Sequence, residues 1–153
     1  MVCVGIDVAK DKHDCFIMGS EGEVLADVFT IPNTREGFET LLQRIHSCAS
    51  PTDKIKVGLE ATGHYSYNIL GFLLDCGLAT YVLNPLHTNL YRKSLSLRKT
   101  KTDRVDARTI AAMLIAPIPE LTDRKKSRKL ERKGAIQNGT KKGKEVHSTA
   151  AIR

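Results

Sequence analysis

Several devices that define small proteins are missing from this chain of 153 residues. Its four cysteines, Cys3, Cys15, Cys48 and Cys76, show neither CxxC spacing nor a paired histidine pattern, which argues against a zinc site. Cys3 and Cys15 fall inside strand-like runs, where cysteine serves as a small buried hydrophobe. The N-terminus lacks a cationic segment followed by an apolar run, so no secretory signal is expected. No apolar stretch is long enough for a membrane helix. Reduced thiols, a cytoplasmic setting and no membrane partner are the resulting expectation. Glycine-rich phosphate loops are absent, and so are internal repeats. What remains is 41% hydrophobic residues, enough for one modest core.

The net charge of +7 is unevenly spread. Residues 1–120 carry 13 Lys/Arg and 14 Asp/Glu, a net of −1, whereas residues 121–153 carry 11 and 3, a net of +8. The expected division is a near-neutral folded domain over residues 1–118 and a basic tail over 119–153. That tail has little apolar periodicity and is broken by Gly134, Gly139 and Gly143, which predicts disorder with at most a frayed helix near Leu121–Lys133. Within the neutral part, Arg92, Lys93, Arg98, Lys99, Lys101, Arg104 and Arg108 form one basic stretch. Either they line a solvated helical face or, beside acids, they position a phosphate backbone. Lys10 is ambiguous in the same way.

Periodicity predicts three short-linked strands, Val2–Asp7, Asp14–Met18 and Val24–Ile31, forming an antiparallel meander. Pro32-Asn33-Thr34 stops the third and offers a helix cap in Asn33 or Thr34. Phe38, Leu41, Leu42, Ile45 and Ala49 recur on one stripe of an amphipathic helix. A strand over Ile55–Glu60 follows, then a helix from about His64 to Cys76, a strand over Leu78–Leu83, and a turn or helix from Asn84-Pro85. A last helix is expected from Thr102, with Asp103 and Asp106 on the same stripe as Ile110, Met113 and Leu114. The order βββαβαβα is an α/β fold with a mixed sheet and helices on its faces.

Four carboxylates stand where such a fold concentrates chemistry. Asp7 and Glu60 close two strands, and Asp103 and Asp106 open the last helix. A lone Glu60 facing the side of Gly58 is costly to bury without a cation or metal. Asp103 alone would serve equally as a helix-dipole partner. Together, hard oxygen donors at one sheet edge suit Mg²⁺ or Mn²⁺. Two such ions ~4 Å apart stabilise both the attacking and the leaving oxygen of a phosphodiester displacement. His64 and Tyr65, just after Glu60, either contact substrate or cover the helix start.

Gly5-Ile6-Asp7-Val8-Ala9-Lys10, Glu60-Ala61-Thr62-Gly63-His64-Tyr65 and Lys101-Thr102-Asp103-Arg104-Val105-Asp106-Ala107 resemble, in order and spacing, the three motifs of the DEDD transposases of bacterial insertion sequences, the insertion-sequence-110 type. Asn84-Pro85 also matches, and the resemblance covers roughly the first 116 positions. It implies an RNase H-like, RuvC-type fold, with Asp7, Glu60, Asp103 and Asp106 holding two divalent ions. It also implies metal-dependent cutting and rejoining of DNA, including branched DNA, directed by a guide RNA, and a homo-oligomer is expected.

Members of this family carry a second, C-terminal domain with a serine nucleophile. The tail here does not resemble it, and neither Ser127 nor Ser148, both in low-complexity basic sequence, is assigned that role. A truncation or frameshift after about Ala116 would account for the difference. The alternative reading is therefore a truncated, catalytically incompetent nucleic-acid-binding remnant. An ATPase of related fold, sugar-kinase-like or chaperone-like, is disfavoured by the absent phosphate loops and second lobe.

Overall fold

The computed structural model describes residues 1–61, 63–95, 106–116 and 122–123. Strands β1 (Val2–Val8), β2 (Lys12–Gly19) and β3 (Val24–Pro32) form the expected meander. They are followed by α1 (Arg35–Cys48), β4 (Ile55–Glu60), a 3₁₀ turn over Gly63–Ser66, α2 (Tyr67–Asp75) and β5 (Ala79–Leu83). Helices α3 (Pro85–Leu95) and α4 (Ala107–Met113) and the two-residue strand β6 (Thr122–Asp123) complete the order. The sheet runs β3-β2-β1-β4-β5-β6. β1 pairs antiparallel with β2 and parallel with β4, and β4 pairs parallel with β5. The mixed sheet expected from the sequence is thus present. β6, which pairs antiparallel with β5, was not expected; it stands beyond residue 118, where disorder with at most a frayed helix was predicted. A two-residue strand has no periodicity to read.

Alternation sorts the sheet into two faces. Val2, Val4, Ile6 and Val8 of β1, with Cys15 and Ile17 of β2 and Val57 and Leu59 of β4, build the main core. Against it α1 buries Phe38, Leu41 and Ile45, and α2 buries Ile69, Leu70 and Leu73. Each such side chain contributes roughly 1.5–3 kcal/mol of transfer free energy. Thr34, one of the two caps foreseen, begins α1, its hydroxyl accepting a hydrogen bond from the Gly37 N–H at 3.2 Å. The helix foreseen from His64 opens instead as a 3₁₀ turn, in which the Ser66 hydroxyl donates to the Gly63 carbonyl at 3.1 Å.

The opposite face carries Cys3, Gly5 and Asp7 of β1, Phe16 and Met18 of β2, and Gly58 and Glu60 of β4. α4 lies across it, with Ala107 and Ala111 against Phe16 and Met18 and Ile110 and Met113 against Leu83. Gly5 and Gly58 are register partners in the parallel pair, and they let the helix approach. A Cβ on Gly5 would lie 1.9 Å from the Ala107 carbonyl oxygen and 2.5 Å from the Ala111 nitrogen. The atoms nearest a Cβ on Gly58 would be side-chain atoms of Ile110 and Leu114, from 3.1 Å. The helix backbone therefore rests directly on β1.

Candidate active site

Asp7 and Glu60 stand near the C-terminal ends of adjacent parallel strands. The registered pairs run from Val2 with Ile55 to Ile6 with Leu59, so Asp7 and Glu60 are the next step on the α4 face. Both are half-buried. The Glu60 carboxylate accepts a hydrogen bond through Oε2 from the Thr88 hydroxyl at 2.9 Å.

Asp106 differs from the expected position. α4 begins at Ala107, and Asp106 is its N-cap, with extended backbone at φ −100° and ψ 168°. Its Oδ1 accepts hydrogen bonds from the Thr109 N–H at 2.9 Å and the Thr109 hydroxyl at 3.1 Å. The side chain is exposed at the helix mouth and does not share the buried stripe, whereas Ile110, Met113 and Leu114 are buried as the periodicity predicts. An aspartate with an unpaired helical N–H three residues on gains more as a cap than inside a helix. Ala107 follows Asp106 and rests on Gly5, two residues before Asp7, so the capped end of α4 starts on the face that carries both strand-end acids. Asp103 and the expected cap Thr102 lie outside the described residues.

Asp14 was read only as part of a strand. It is the register partner of Asp7 across the β1–β2 pair, which puts both side chains on one face. The Thr30 hydroxyl donates to Asp14 Oδ1 at 2.6 Å, so this carboxylate is oriented from β3. The short β1–β2 connection was the available signal, because it narrows which residues can oppose one another.

The basic residues divide. Arg108 is committed to the fold: its Nη2 donates to Asp27 Oδ1 at 2.7 Å, and its guanidinium lies 5.6 Å from the Phe16 ring centroid. Asp27 is correspondingly held below the usual carboxylate range, first by the Val28 N–H and then by Arg108. Arg92 is half-buried and its Nη2 stands 3.4 Å from Asn89 Oδ1. Lys10 and Lys93 are exposed. Arg98, Lys99, Lys101 and Arg104 lie outside the described residues. His64 and Tyr65 are both exposed, with ring centroids 4.2 Å apart.

Among the described residues no three His, Cys, Asp or Glu side chains converge on one metal position. The donors gathered at the α4 face are nonetheless all carboxylates, the chemistry a hard divalent cation takes.

Residues 4–131 match the DEDD family of the insertion-sequence-110 type, described as transposase. The chain belongs to this family. Pilin gene-inverting proteins of Moraxella bovis and Moraxella lacunata are each 33% identical to it over 109 residues, 71% of this chain. The matched region is 32% of each relative, so this DEDD domain spans about a third of their length. RuvC of Thermus thermophilus superposes with a TM-score of 0.50 at 15% identity, over 72% of this chain and 90% of that one. The fold is thus RNase H-like. No helix among the described residues is long and apolar enough to cross a membrane.

Proposed function

We propose that this chain is the DEDD catalytic portion of an insertion-sequence transposase or recombinase, cutting DNA phosphodiester bonds and transferring strands. The observation that carries the reading is the placement of Asp7 and Glu60 at neighbouring parallel strand ends, on the face where the Asp106-capped helix begins. The family match supports it, as does the kind of event for which the Moraxella relatives are named, the inversion of a gene.

In this reading Asp7, Glu60, Asp103 and Asp106 hold divalent metal, Mg²⁺ or Mn²⁺, as two ions. Bound metal supplies an activated nucleophile and neutralises the leaving oxygen. The chain's own residues do the rest. The strand ends fix Asp7 and Glu60 side by side. Gly5 lets α4 sit low enough to bring its capped end to them. Lys10, Arg92, Lys93, Arg98, Lys99, Lys101 and Arg104, with the basic tail, would hold the phosphate backbone. Arg108 is engaged by Asp27 and would reach phosphate only by giving up that pair. DNA at insertion-sequence ends or target sites, including branched DNA, is the proposed substrate; a guide RNA, a second copy of the chain and a cytoplasmic setting belong to the same proposal.

A second reading, nucleic-acid binding without chemistry, is favoured by the concentration of positive charge in residues 121–153 and by the exposed Lys10 and Lys93. Incubating supercoiled and branched DNA with Mg²⁺ or Mn²⁺ separates the two. The catalytic reading expects nicking by wild type and none by Asp7→Ala or Asp106→Ala. Salt-sensitive binding with no metal-dependent nicking by any form would establish the second reading and overturn the first.

A further inference from the structure

Thr88 lies outside the three acidic motifs, yet it makes a direct contact with one of their carboxylates. It is fully buried on α3. Its hydroxyl stands 2.9 Å from Glu60 Oε2 and equally 2.9 Å from the Pro85 carbonyl. A hydroxyl carries one proton. Against an ionised carboxylate, the charge-assisted bond to Glu60 is the stronger of the two.

The route from sequence to this contact is short. Glu60 is the register partner of Leu83 at the end of β5. Asn84 leads straight from β5 into α3, its side-chain oxygen accepting from the Leu86 N–H at 2.9 Å. The Thr88 N–H then donates to the Asn84 carbonyl at 3.1 Å. The threonine therefore sits in the first turn of a helix that starts beside Glu60, with no long loop between them.

We propose that Thr88 is a positioning residue for Glu60. Its hydroxyl occupies one lone pair of Oε2 and so fixes the carboxylate plane in which Glu60, together with Asp7, would hold a divalent cation. In the absence of the cation the same bond holds the carboxylate ready. This inference rests on the reading of Glu60 as a metal ligand, and partners of this outer kind typically change metal affinity about 10–100-fold when removed.

The test is metal binding without DNA. Mn²⁺ is titrated into the full chain and followed by electron paramagnetic resonance, with Mg²⁺-dependent thermal unfolding alongside. Thr88→Val keeps the branched shape and removes the donor; Thr88→Ser keeps the donor; Glu60→Gln tests the parent reading. The expected result is about a tenfold or greater rise in the half-saturating Mn²⁺ concentration for Thr88→Val, with Thr88→Ser within about threefold of wild type. If Thr88→Val does not fold, as judged by circular dichroism without metal, Thr88→Ala replaces it with the same expectation. Wild-type Mn²⁺ affinity in the donor-lacking variant, with binding abolished in Glu60→Gln, overturns the role of Thr88 and leaves the metal reading standing. Unchanged binding in Glu60→Gln overturns both. Equal weakening in Thr88→Val and Thr88→Ser shows a packing role and also overturns the proposal.

Discussion

The two faces of the central sheet are built by opposite means. Under α1 and α2, β1 presents Val2, Val4, Ile6 and Val8, and the helices stand off on large side chains. Under α4, the same strand presents Cys3, Gly5 and Asp7, and the helix backbone comes down almost onto the sheet. One face gains stability from apolar area. The other gives up that area for closeness and places carboxylates at its rim. The difference shows how one strand, through a period of two, serves as core on one side and as a platform for carboxylates on the other.

Truncating each face sharpens the contrast. Ile6→Ala, on the core face, is expected to destabilise by about 3 kcal/mol through transfer and cavity terms, while folded protein keeps its response to Mg²⁺. Gly5→Ala is expected to cost about 2 kcal/mol by forcing the α4 backbone away and to lose the Mg²⁺ response. Gly58→Ala, which meets flexible side chains instead, should cost about 1 kcal/mol and keep the response. Denaturant unfolding with and without Mg²⁺ measures all three. A Gly5→Ala variant that responds to Mg²⁺ like wild type would remove the link between close approach and the site.

A smaller effect comes from His13, on the core face. It is fully buried, stacks on Phe38 with centroids 6.0 Å apart, and accepts the Ala9 N–H on Nδ1 at 3.3 Å. Burial pushes its pKa below the ordinary histidine value, against the opposing pull of Asn33, the Lys12 backbone and Asp14. The folded protein therefore prefers neutral His13. Its contribution to stability is complete above the unfolded pKa of about 6.5 and is lost as pH falls from there toward the lower folded value, at up to about 1.4 kcal/mol per pH unit. Unfolding followed between pH 7.5 and 5 should show a steeper loss for wild type than for His13→Gln. Parallel curves would mean that His13 is not carried neutral.

The smallest effect is expected at the Arg108–Asp27 pair, whose side chains are 57% and 71% exposed. Arg108→Ala should change stability by about 0.5 kcal/mol. Thermal unfolding at low and high salt reads this directly, and a loss several times larger would show that the stacking on Phe16 dominates.

How far these features were legible in the sequence depended on their range. β4 runs from Ile55 to Glu60 as the alternation of Ile55, Val57 and Leu59 predicts, and Asp7 falls one residue before the end of β1. Strand ends and their acids were therefore readable from local pattern. The start of α4 was not, because a stripe containing Asp106, Ile110 and Met113 fits both a longer helix and a shorter one capped by Asp106; the bond to the Thr109 N–H decides between them. The pairing of Asp14 with Asp7 follows from register, which a turn length constrains without fixing. The Thr88–Glu60 bond needs β5 to pair beside β4, a tertiary fact with no signature in the helix itself. The engagement of Arg108 by Asp27 joins residues 81 positions apart, and a run of basic residues gives no sign of which one is taken.

The most direct test of the account is thermal unfolding of wild type and Asp7→Asn across a Mg²⁺ titration. A cation held by the strand-end carboxylates stabilises the folded state by about 2.7 kcal/mol at a hundredfold excess over its Kd. The account predicts a rising Tm for wild type and a flat one for Asp7→Asn. An unchanged Tm in both, or an equal rise in both, would contradict it.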